Sequence, residues 1–170
     1  MSEVVRLKPD DAERYVRLRR RMLADAPWAY SADPETDSAL DPSRVAANLA
    51  NDENAILAVE YGGDLVAALG VARNRQVKLA HRAIVWGVFV EPSHRGKGYG
   101  AALLDRAIEL ARGWPGIDYI DLSVSGGSPA ARSLYERFGF VAWGTESEAT
   151  QIDGRRYDEH HMTLRLEKAR

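Results

Sequence analysis

Between an apolar strand and an amphipathic helix lies the stretch Glu91-Pro92-Ser93-His94-Arg95-Gly96-Lys97-Gly98-Tyr99-Gly100. Three glycines within five residues let the backbone turn sharply and point several N–H groups at one ligand. The helix that begins here adds the positive end of its dipole, and Arg95 and Lys97 add full positive charges. A phosphate or pyrophosphate group is the natural ligand for such a set of donors.

Three other classes of loop share glycines or basic residues with this stretch. The simplest is an exposed turn that only joins a strand to a helix. A Walker A loop needs Ser or Thr directly after its lysine, but Gly98 follows Lys97, which excludes that class. The spacing Gly-x-Gly-x-x-Ala from Gly96 fits the looser dinucleotide fingerprint, with Asp118 or Asp121 about 20 residues further on. These acids lie at the start and middle of their strand rather than its end, which disfavours a dinucleotide site.

The bulk composition is that of an ordinary globular protein. With 170 residues, 45% hydrophobic and 28% charged, the chain predicts one domain that spans residues 1–170. A formal net charge of −2 gives no global attraction to nucleic acid or to an anionic membrane. Cysteine is absent, which excludes disulfides, thiol nucleophiles and Cys-ligated zinc. Since no apolar run resembles a signal peptide or a spanning helix, we expect a cytoplasmic protein.

Apolar periodicity and turn residues predict the element order β-α-α-β-β-β-α-β-α-β-β. Asp41-Pro42 and Ser128-Pro129 each combine a capping residue with proline at the first helical position. Tight turns at Gly62-Gly63 and at Asp153-Gly154 predict hairpins. The strand 83–90 is apolar on both alternating faces, so we expect it at the centre of the sheet with both faces covered. The sequence therefore predicts a single α/β domain with a mixed sheet.

Two motifs carry a resemblance to a known family. Arg95-Gly96-Lys97-Gly98-Tyr99-Gly100 fills the three defining positions of Gln/Arg-x-x-Gly-x-Gly/Ala, the coenzyme A signature of the GNAT N-acetyltransferase superfamily. Residues 128–140 resemble the family's segment Asn-x-x-Ala-x-x-Leu-Tyr-x-x-x-Gly-Phe, and the element order over residues 4–166 agrees with its fold. The resemblance implies a GNAT-like domain whose mostly antiparallel sheet of about seven strands carries helices on both faces and is splayed at its two central strands.

The resemblance also implies where the co-substrate acetyl-coenzyme A binds. Its pyrophosphate would lie on the amides from Gly96 to Ala101, in a V-shaped opening between the central strands. Its pantetheine arm would pair with backbone groups of Val88 and Val90, much as an added peptide strand does. The predicted cofactor-binding residues are Val88, Val90, Arg95, Gly96, Lys97, Gly98, Tyr99, Gly100, Ala101, Ser128 and Ala131.

Tyr135 stands where the family often places the acid that protonates the leaving thiolate, and it is the predicted catalytic residue. The alternative is that Tyr135 is only a core aromatic on a helix face. Ser128 replaces the family's asparagine. The usual hydrogen bond from that asparagine to the cofactor is therefore in doubt, and a helix cap is the better-supported role of Ser128.

The general base is less evident. Many GNAT proteins carry a glutamate at the start of the central strand, but the corresponding residue here is Ile84, and residues 83–90 contain no carboxylate. The candidates that remain are Tyr30, Glu91, His94, Asp158, Glu159, His160 and His161. Neighbouring residues on a strand point to opposite faces, and no cysteine or third close histidine completes a set, so no metal site is predicted.

The predicted function is transfer of an acetyl group from acetyl-coenzyme A to a primary amine, by direct attack in a ternary complex. The acceptor, a small molecule or a peptide, should meet the first two helices, the last hairpin and the loop with Trp28 and Tyr30, since aromatic faces attract ammonium groups. The alternative function is a non-catalytic domain that binds or senses acyl-coenzyme A. Neither nucleic acid nor a membrane is an expected partner. The apolar last strand is a candidate edge that could pair between the subunits of a homodimer.

Overall fold

The computed structural model describes residues 3–167. Its elements follow the predicted order. The strands are β1 Val4–Arg6, β2 Asn54–Tyr61, β3 Asp64–Arg73, β4 Arg82–Val90, β5 Tyr119–Ser125, β6 Val141–Ile152 and β7 Arg155–Arg165. The helices are α1 Ala12–Asp25, α2 Pro42–Leu49, α3 Tyr99–Gly113 and α4 Pro129–Arg137. This arrangement confirms the predicted α/β class.

All seven strands form one sheet in the order β1-β2-β3-β4-β5-β7-β6. Every neighbouring pair is antiparallel except β4 and β5, which are parallel. These two strands pair only from Arg82 to Ile84 and then separate, although β4 continues to Val90. The predicted mixed, mostly antiparallel sheet with splayed central strands is therefore confirmed. The expectation that the last strand is an edge is wrong, because β7 lies between β5 and β6.

Helices cover both faces of the sheet, as predicted. One core contains Tyr15 and Leu18 of α1 with Val45 of α2. The core on the opposite face contains Leu104 of α3 and Tyr135 of α4. The strands supply half of the remaining members of the first core and most of those of the second.

The cover over the central strand is incomplete. β4 is the fourth of the seven strands, as predicted for a central strand. However, Ile84 is 38% exposed, so the expectation that both faces of this strand are covered is wrong at its N-terminal end. One face of the sheet is therefore partly exposed to solvent beside the start of β4.

Local signals differ in how well they predict helix starts. The carboxylate of Asp41 accepts from the amide of Ser43 at 2.9 Å, so the predicted cap of α2 is confirmed. Ser128 occupies the cap position of α4, but its side chain makes no capping hydrogen bond, so that part of the prediction is wrong. Both hairpin turns are confirmed, with left-handed glycines at Gly62 and Gly154. Within residues 3–167, no helix is long and apolar enough to cross a bilayer.

Candidate active site

The separation of β4 from β5 opens a cavity of about 750 Å³. Its walls come from residues 85–90 of β4, residues 122–124 of β5, the loop that precedes α3, and one side of α4. The segment Trp28–Tyr30 after α1 closes one end. The cavity therefore lies at the point where the sheet changes direction, which is a common position for ligand sites in α/β folds.

A β-bulge shapes the wall that β4 contributes. Ala68 of β3 lies opposite Phe89, and Gly70 lies opposite Trp86, so β4 has one more residue than β3 between these pairs. Gly87 takes up the extra residue with a left-handed φ of 58°. A Cβ atom added at Gly87 would lie 3.0 Å from Nη1 of Arg19. The bulge therefore needs glycine both for its backbone angle and for the arginine packed against it.

The glycine-rich loop turns toward the cavity as the sequence predicts. Gly96 has a φ of 74°, and Gly98, the N-cap of α3, has a φ of 82°. No side chain caps this end of α3, and a Cβ added at either glycine would meet no atom within 4 Å. The N-terminus of α3, which carries the positive end of the helix dipole, therefore borders the cavity without a side-chain cap, as an anion site requires. Among the predicted loop residues, Lys97 alone does not line the cavity, and its ammonium lies 5.7 Å from the ring centre of Tyr61.

The guanidinium of Arg95 already has protein partners. Its Nε donates to the carbonyl oxygen of Val90 at 3.0 Å, and its Nη2 pairs with the carboxylate of Asp25 at the end of α1. Arg95 therefore ties the loop to α1 and β4. The sequence predicts that the positive charge of Arg95 binds an anion, but the carboxylate of Asp25 already neutralises part of that charge.

Val88 and Val90, the two residues of β4 predicted to bind the pantetheine arm, each already use the backbone carbonyl oxygen in a hydrogen bond. The hydroxyl of Tyr30 donates to the carbonyl oxygen of Val88 at 2.7 Å, and Arg95 occupies the carbonyl oxygen of Val90. Since Glu91 donates its amide to Val66 of β3, the alternate peptide groups of Val88 and Val90 point away from β3 and toward the cavity. The strand edge thus offers N–H groups more readily than carbonyl groups.

Tyr135 lines the cavity from α4 and is only 5% exposed. Its ring packs edge to face against Phe140, with the ring centroids 6.0 Å apart. Burial raises the pKa of its hydroxyl well above the ordinary value of 10.0. The hydroxyl makes no hydrogen bond to any residue in the range 3–167. Every fully buried side-chain polar atom in that range has a hydrogen-bond partner, so this hydroxyl is not fully buried. The hydroxyl of Tyr135 is therefore accessible from the cavity.

The start of α4 forms the wall beside Tyr135. Ser128 and Ala131 both line the cavity and are half-buried. Their small side chains leave the space in front of the helix open. Arg137, at the other end of α4, is an exposed cation at the cavity rim that the sequence reading did not single out.

A buried ion pair supports the opposite wall. Arg19 of α1 is 6% exposed and donates from Nε to Asp37 at 2.8 Å. Its guanidinium carbon lies 5.9 Å from the ring centre of Tyr30 and 6.0 Å from that of Trp86. Arg19 therefore fixes both aromatic rings beside the bulge.

Comparison with known proteins identifies this architecture. Residues 17–140 match the model of the acetyltransferase (GNAT) family. The chain belongs to this family. The matched segment includes the bulge, the glycine-rich loop and Tyr135, and it confirms the resemblance inferred from the two sequence motifs.

Known GNAT proteins show how far the similarity extends. The chain is 27% identical over 146 residues to N-alpha-acetyltransferase RimI of Mycobacterium tuberculosis, which covers 85% of this chain and 81% of the relative. It is also 30% identical over 96 residues to spermidine N(1)-acetyltransferase of Vibrio cholerae. That match spans only 56% of the relative's length and 56% of this chain. The structure of yncA from Salmonella typhimurium with its cofactor acetyl-CoA has a TM-score of 0.83 at 20% identity, and the match covers 100% of this chain and 96% of that one.

The candidate bases of this GNAT domain lie in different places. Tyr30 and His94 line the cavity. Tyr30 is a hydrogen-bond donor to Val88, and burial raises the pKa of its hydroxyl. His94 packs beside Tyr61 at the outer side of the loop, with ring centroids 5.0 Å apart, and Glu91 pairs with Arg21 of α1. None of these three groups is a free base at the centre of the cavity.

The other four candidates lie on β7. The carboxylate of Asp158 accepts from the amide of Glu148, and the Nδ1 atom of His160 lies 2.9 Å from the hydroxyl of Thr145. His161 lies directly opposite Ser123, a cavity residue of β5 that the sequence reading missed. Only the strand register, which a single sequence does not reveal, brings His161 beside the cavity. Within residues 3–167 no group of acidic and histidine side chains could hold a metal ion.

Proposed function

We propose that this GNAT domain transfers an acetyl group from acetyl-coenzyme A to a primary amine by direct attack in a ternary complex. One observation carries the proposal. A single cavity joins the open N-terminus of α3, the free edge of β4 and the accessible hydroxyl of Tyr135. An anion site, a strand edge and a proton donor in one cleft match the pyrophosphate, the pantetheine arm and the leaving thiolate of the co-substrate.

The residues around the cavity fit the binding of acetyl-coenzyme A. The amides from Gly96 to Ala101 would receive the pyrophosphate, because Gly98 caps α3 without a competing side chain. The N–H groups of Val88 and Val90 would bind carbonyl groups of the pantetheine arm, since their own carbonyl oxygens are engaged. Ser128 and Ala131 would flank the arm, and Lys97 would act as a nearby charge outside the cavity wall.

Tyr135 is the proposed proton donor. In the reaction, the amine nitrogen bonds to the thioester carbonyl carbon and the bond from carbon to sulfur breaks. The departing thiolate takes a proton from the hydroxyl of Tyr135, and the proton that the nitrogen loses on amide formation balances it and restores the tyrosine. A tyrosine hydroxyl is protonated at neutral pH, and burial raises the pKa of Tyr135 further above its ordinary value, so the proton is present when the thiolate departs.

The first test measures release of free coenzyme A thiol from acetyl-coenzyme A. The amines should include spermidine, L-amino acids and peptides with a free α-amino group, the acceptor types suggested by the names of its relatives. Tyr135→Phe keeps the ring contact with Phe140 but removes the donor. We expect it to lower kcat by about 100-fold, at the lower end of the general-acid range. Tyr119→Phe, at a tyrosine that does not line the cavity, is the matched control and should leave kcat unchanged.

The outcome separates the two function classes. Tight binding of acetyl-coenzyme A without thiol release on any amine would contradict the transferase and favour a non-catalytic acyl-coenzyme A sensor.

We also propose that the protein is cytoplasmic and that it forms a homodimer. Cell fractionation tests the location, and analytical ultracentrifugation of the purified chain tests the oligomeric state.

A further inference from the structure

The sheet carries an open face on the acceptor side of the cavity. On β5, β7 and β6 one face packs against α3 and α4, while none of α1 to α4 packs across the opposite face, where only the short segment Pro27–Ala29 contacts β5 and β6. Ile84 is 38% exposed and Trp143 is 69% exposed on this side. Ser123 of β5 is exposed on this open face and also lines the cavity. An acceptor that approaches along this face therefore reaches the cavity at Ser123.

His161 is the titratable residue that lies next to this entrance. β5 and β7 pair with Ser123 directly opposite His161, so both side chains point to the same face. The Cβ atoms of directly opposed residues lie about 4.5–5.5 Å apart. His161 does not itself line the cavity, and its ring contacts residues of β6, so a proton would pass to it from an amine at Ser123 through water along the open face.

Two neighbours on β6 hold the ring of His161 in place. Its Nε2 lies 3.3 Å from Oε2 of Glu146. The ring also stacks on Trp143, with centroids 5.4 Å apart and the planes inclined by 29°. The side chain remains 32% exposed. A histidine that a carboxylate orients on one nitrogen, with its other nitrogen open, is the usual arrangement of a general base.

The other charged groups that face this ring are less suited to accept a proton. Asp121 of β5 is bound by two nitrogens of Arg82 and by the hydroxyl of Thr163. His160 points to the opposite face with Val124. Glu159 shares the face of His161 but lies opposite Ser125, which is 8% exposed. Glu159 is therefore the one rival that the experiment must separate.

We propose that His161 is the general base for the acceptor amine and that Glu146 is its positioning residue. This inference rests on the proposed acetyl transfer. His161 takes one proton from the acceptor ammonium, and the neutral nitrogen then attacks the thioester carbon. The proton lost from that nitrogen on amide formation balances the one that Tyr135 gives to the thiolate. The net products are the acetylated amine, coenzyme A thiol and one proton, which leaves from His161.

The test compares His161→Gln with its neighbour His160→Gln, which makes the same change on the opposite face of the same strand. With acetyl-coenzyme A and the best amine of the panel, His161→Gln should lower kcat/KM at pH 7 by about 100-fold. Because a neutral amine needs no base, the deficit should shrink at pH 10, and added imidazole should restore part of the rate at pH 7. His160→Gln should stay within about threefold of the wild type, well short of the effect of losing a base.

Glu146→Gln provides the readout for the positioning role. It should cause a smaller loss than His161→Gln and should move the acidic limb of the pH profile of kcat/KM, which a purely structural role would not do. If the wild type is active and His161→Gln keeps its rate, or if Glu159→Gln alone abolishes activity, the assignment of His161 is overturned. A wild type that acetylates no amine overturns both this assignment and the proposed function.

Discussion

The hydroxyl of Tyr30 donates a 2.7 Å hydrogen bond to the carbonyl oxygen of Val88 and so ties the loop after α1 to the bulged strand β4. Arg19 holds the same ring from the other side. The segment that closes one end of the cavity is therefore attached to the strand that would bind the pantetheine arm. Acceptor and cofactor would meet along this contact.

Tyr30→Phe should lower the free energy of unfolding by about 1 kcal/mol, because it removes one hydrogen bond while the ring keeps its packing. Burial raises the pKa of this hydroxyl, so it is a donor throughout the neutral range. Urea unfolding checks the loss of stability, and calorimetric titration with acetyl-coenzyme A should show weaker binding. Tyr61→Phe, at an exposed tyrosine outside the cavity wall, should change neither quantity. An equal effect in both variants would contradict the role of Tyr30.

Any side chain at Gly87 should destabilise the fold. Alanine at this position must adopt a left-handed φ, which costs about 1–2 kcal/mol, and its Cβ would lie 3.0 Å from Nη1 of the buried Arg19. We expect Gly87→Ala to lower the free energy of unfolding by at least this amount and to reduce kcat. Gly113→Ala is the matched control, because Gly113 ends α3 with open space around it and should keep or slightly raise stability. Denaturant midpoints of the two variants measure the difference.

The cluster around Asp121 predicts how stability changes at acid pH. Burial alone would raise the pKa of this carboxyl, but hydrogen bonds from Arg82 and Thr163 outweigh it and hold the pKa below the ordinary value of 3.8. The ionised carboxylate therefore stabilises the fold above pH 3.8, and this contribution is lost as the pH falls through the lowered pKa.

Asp121→Asn should consequently be less stable than the wild type at pH 7, and the difference should narrow below pH 3.8. Melting temperatures at pH 7 and pH 3 check this. Thr163→Val removes one of the hydrogen bonds and should show a smaller deficit with the same pH trend. A deficit of Asp121→Asn that is constant with pH would mean that the ionised carboxylate is not what stabilises this cluster.

The sequence predicts the elements of this fold better than it predicts their partners. Hydrophobic period, glycines and prolines are local, so the element order and the turns at Gly62 and Gly154 could be read directly. Strand order is not local. The sequence predicts the last strand at an edge, yet β7 lies inside the sheet, because β6 and β7 form a hairpin in which the later strand pairs with β5.

The same distinction applies to the site. The glycine-rich loop is contiguous in sequence, and Tyr135 lies in the second family motif, so the sequence alone predicts both as site residues. The partner of Arg95 could not be, because Asp25 lies 70 residues away in α1. Likewise, the two adjacent histidines are equivalent in sequence, and only the register with Ser123 places His161 on the open face beside the cavity. Charge balance and pairing across strands are set by tertiary contacts.

The loop before α3 gives the sharpest test of cofactor binding. Arg95→Ala combined with Gly98→Asp should weaken acetyl-coenzyme A binding by about 100-fold or more, equivalent to about 2.8 kcal/mol. The new carboxylate would stand at the helix N-terminus where the pyrophosphate is proposed to bind, and Arg95 would no longer tie the loop to Asp25. Gly113→Asp adds the same charge at the opposite end of α3 and should leave affinity unchanged. Calorimetry gives the affinities and circular dichroism shows that each variant is folded. A folded double variant with wild-type affinity would refute the pyrophosphate site, because both the charge and the backbone geometry of the loop would have changed without effect.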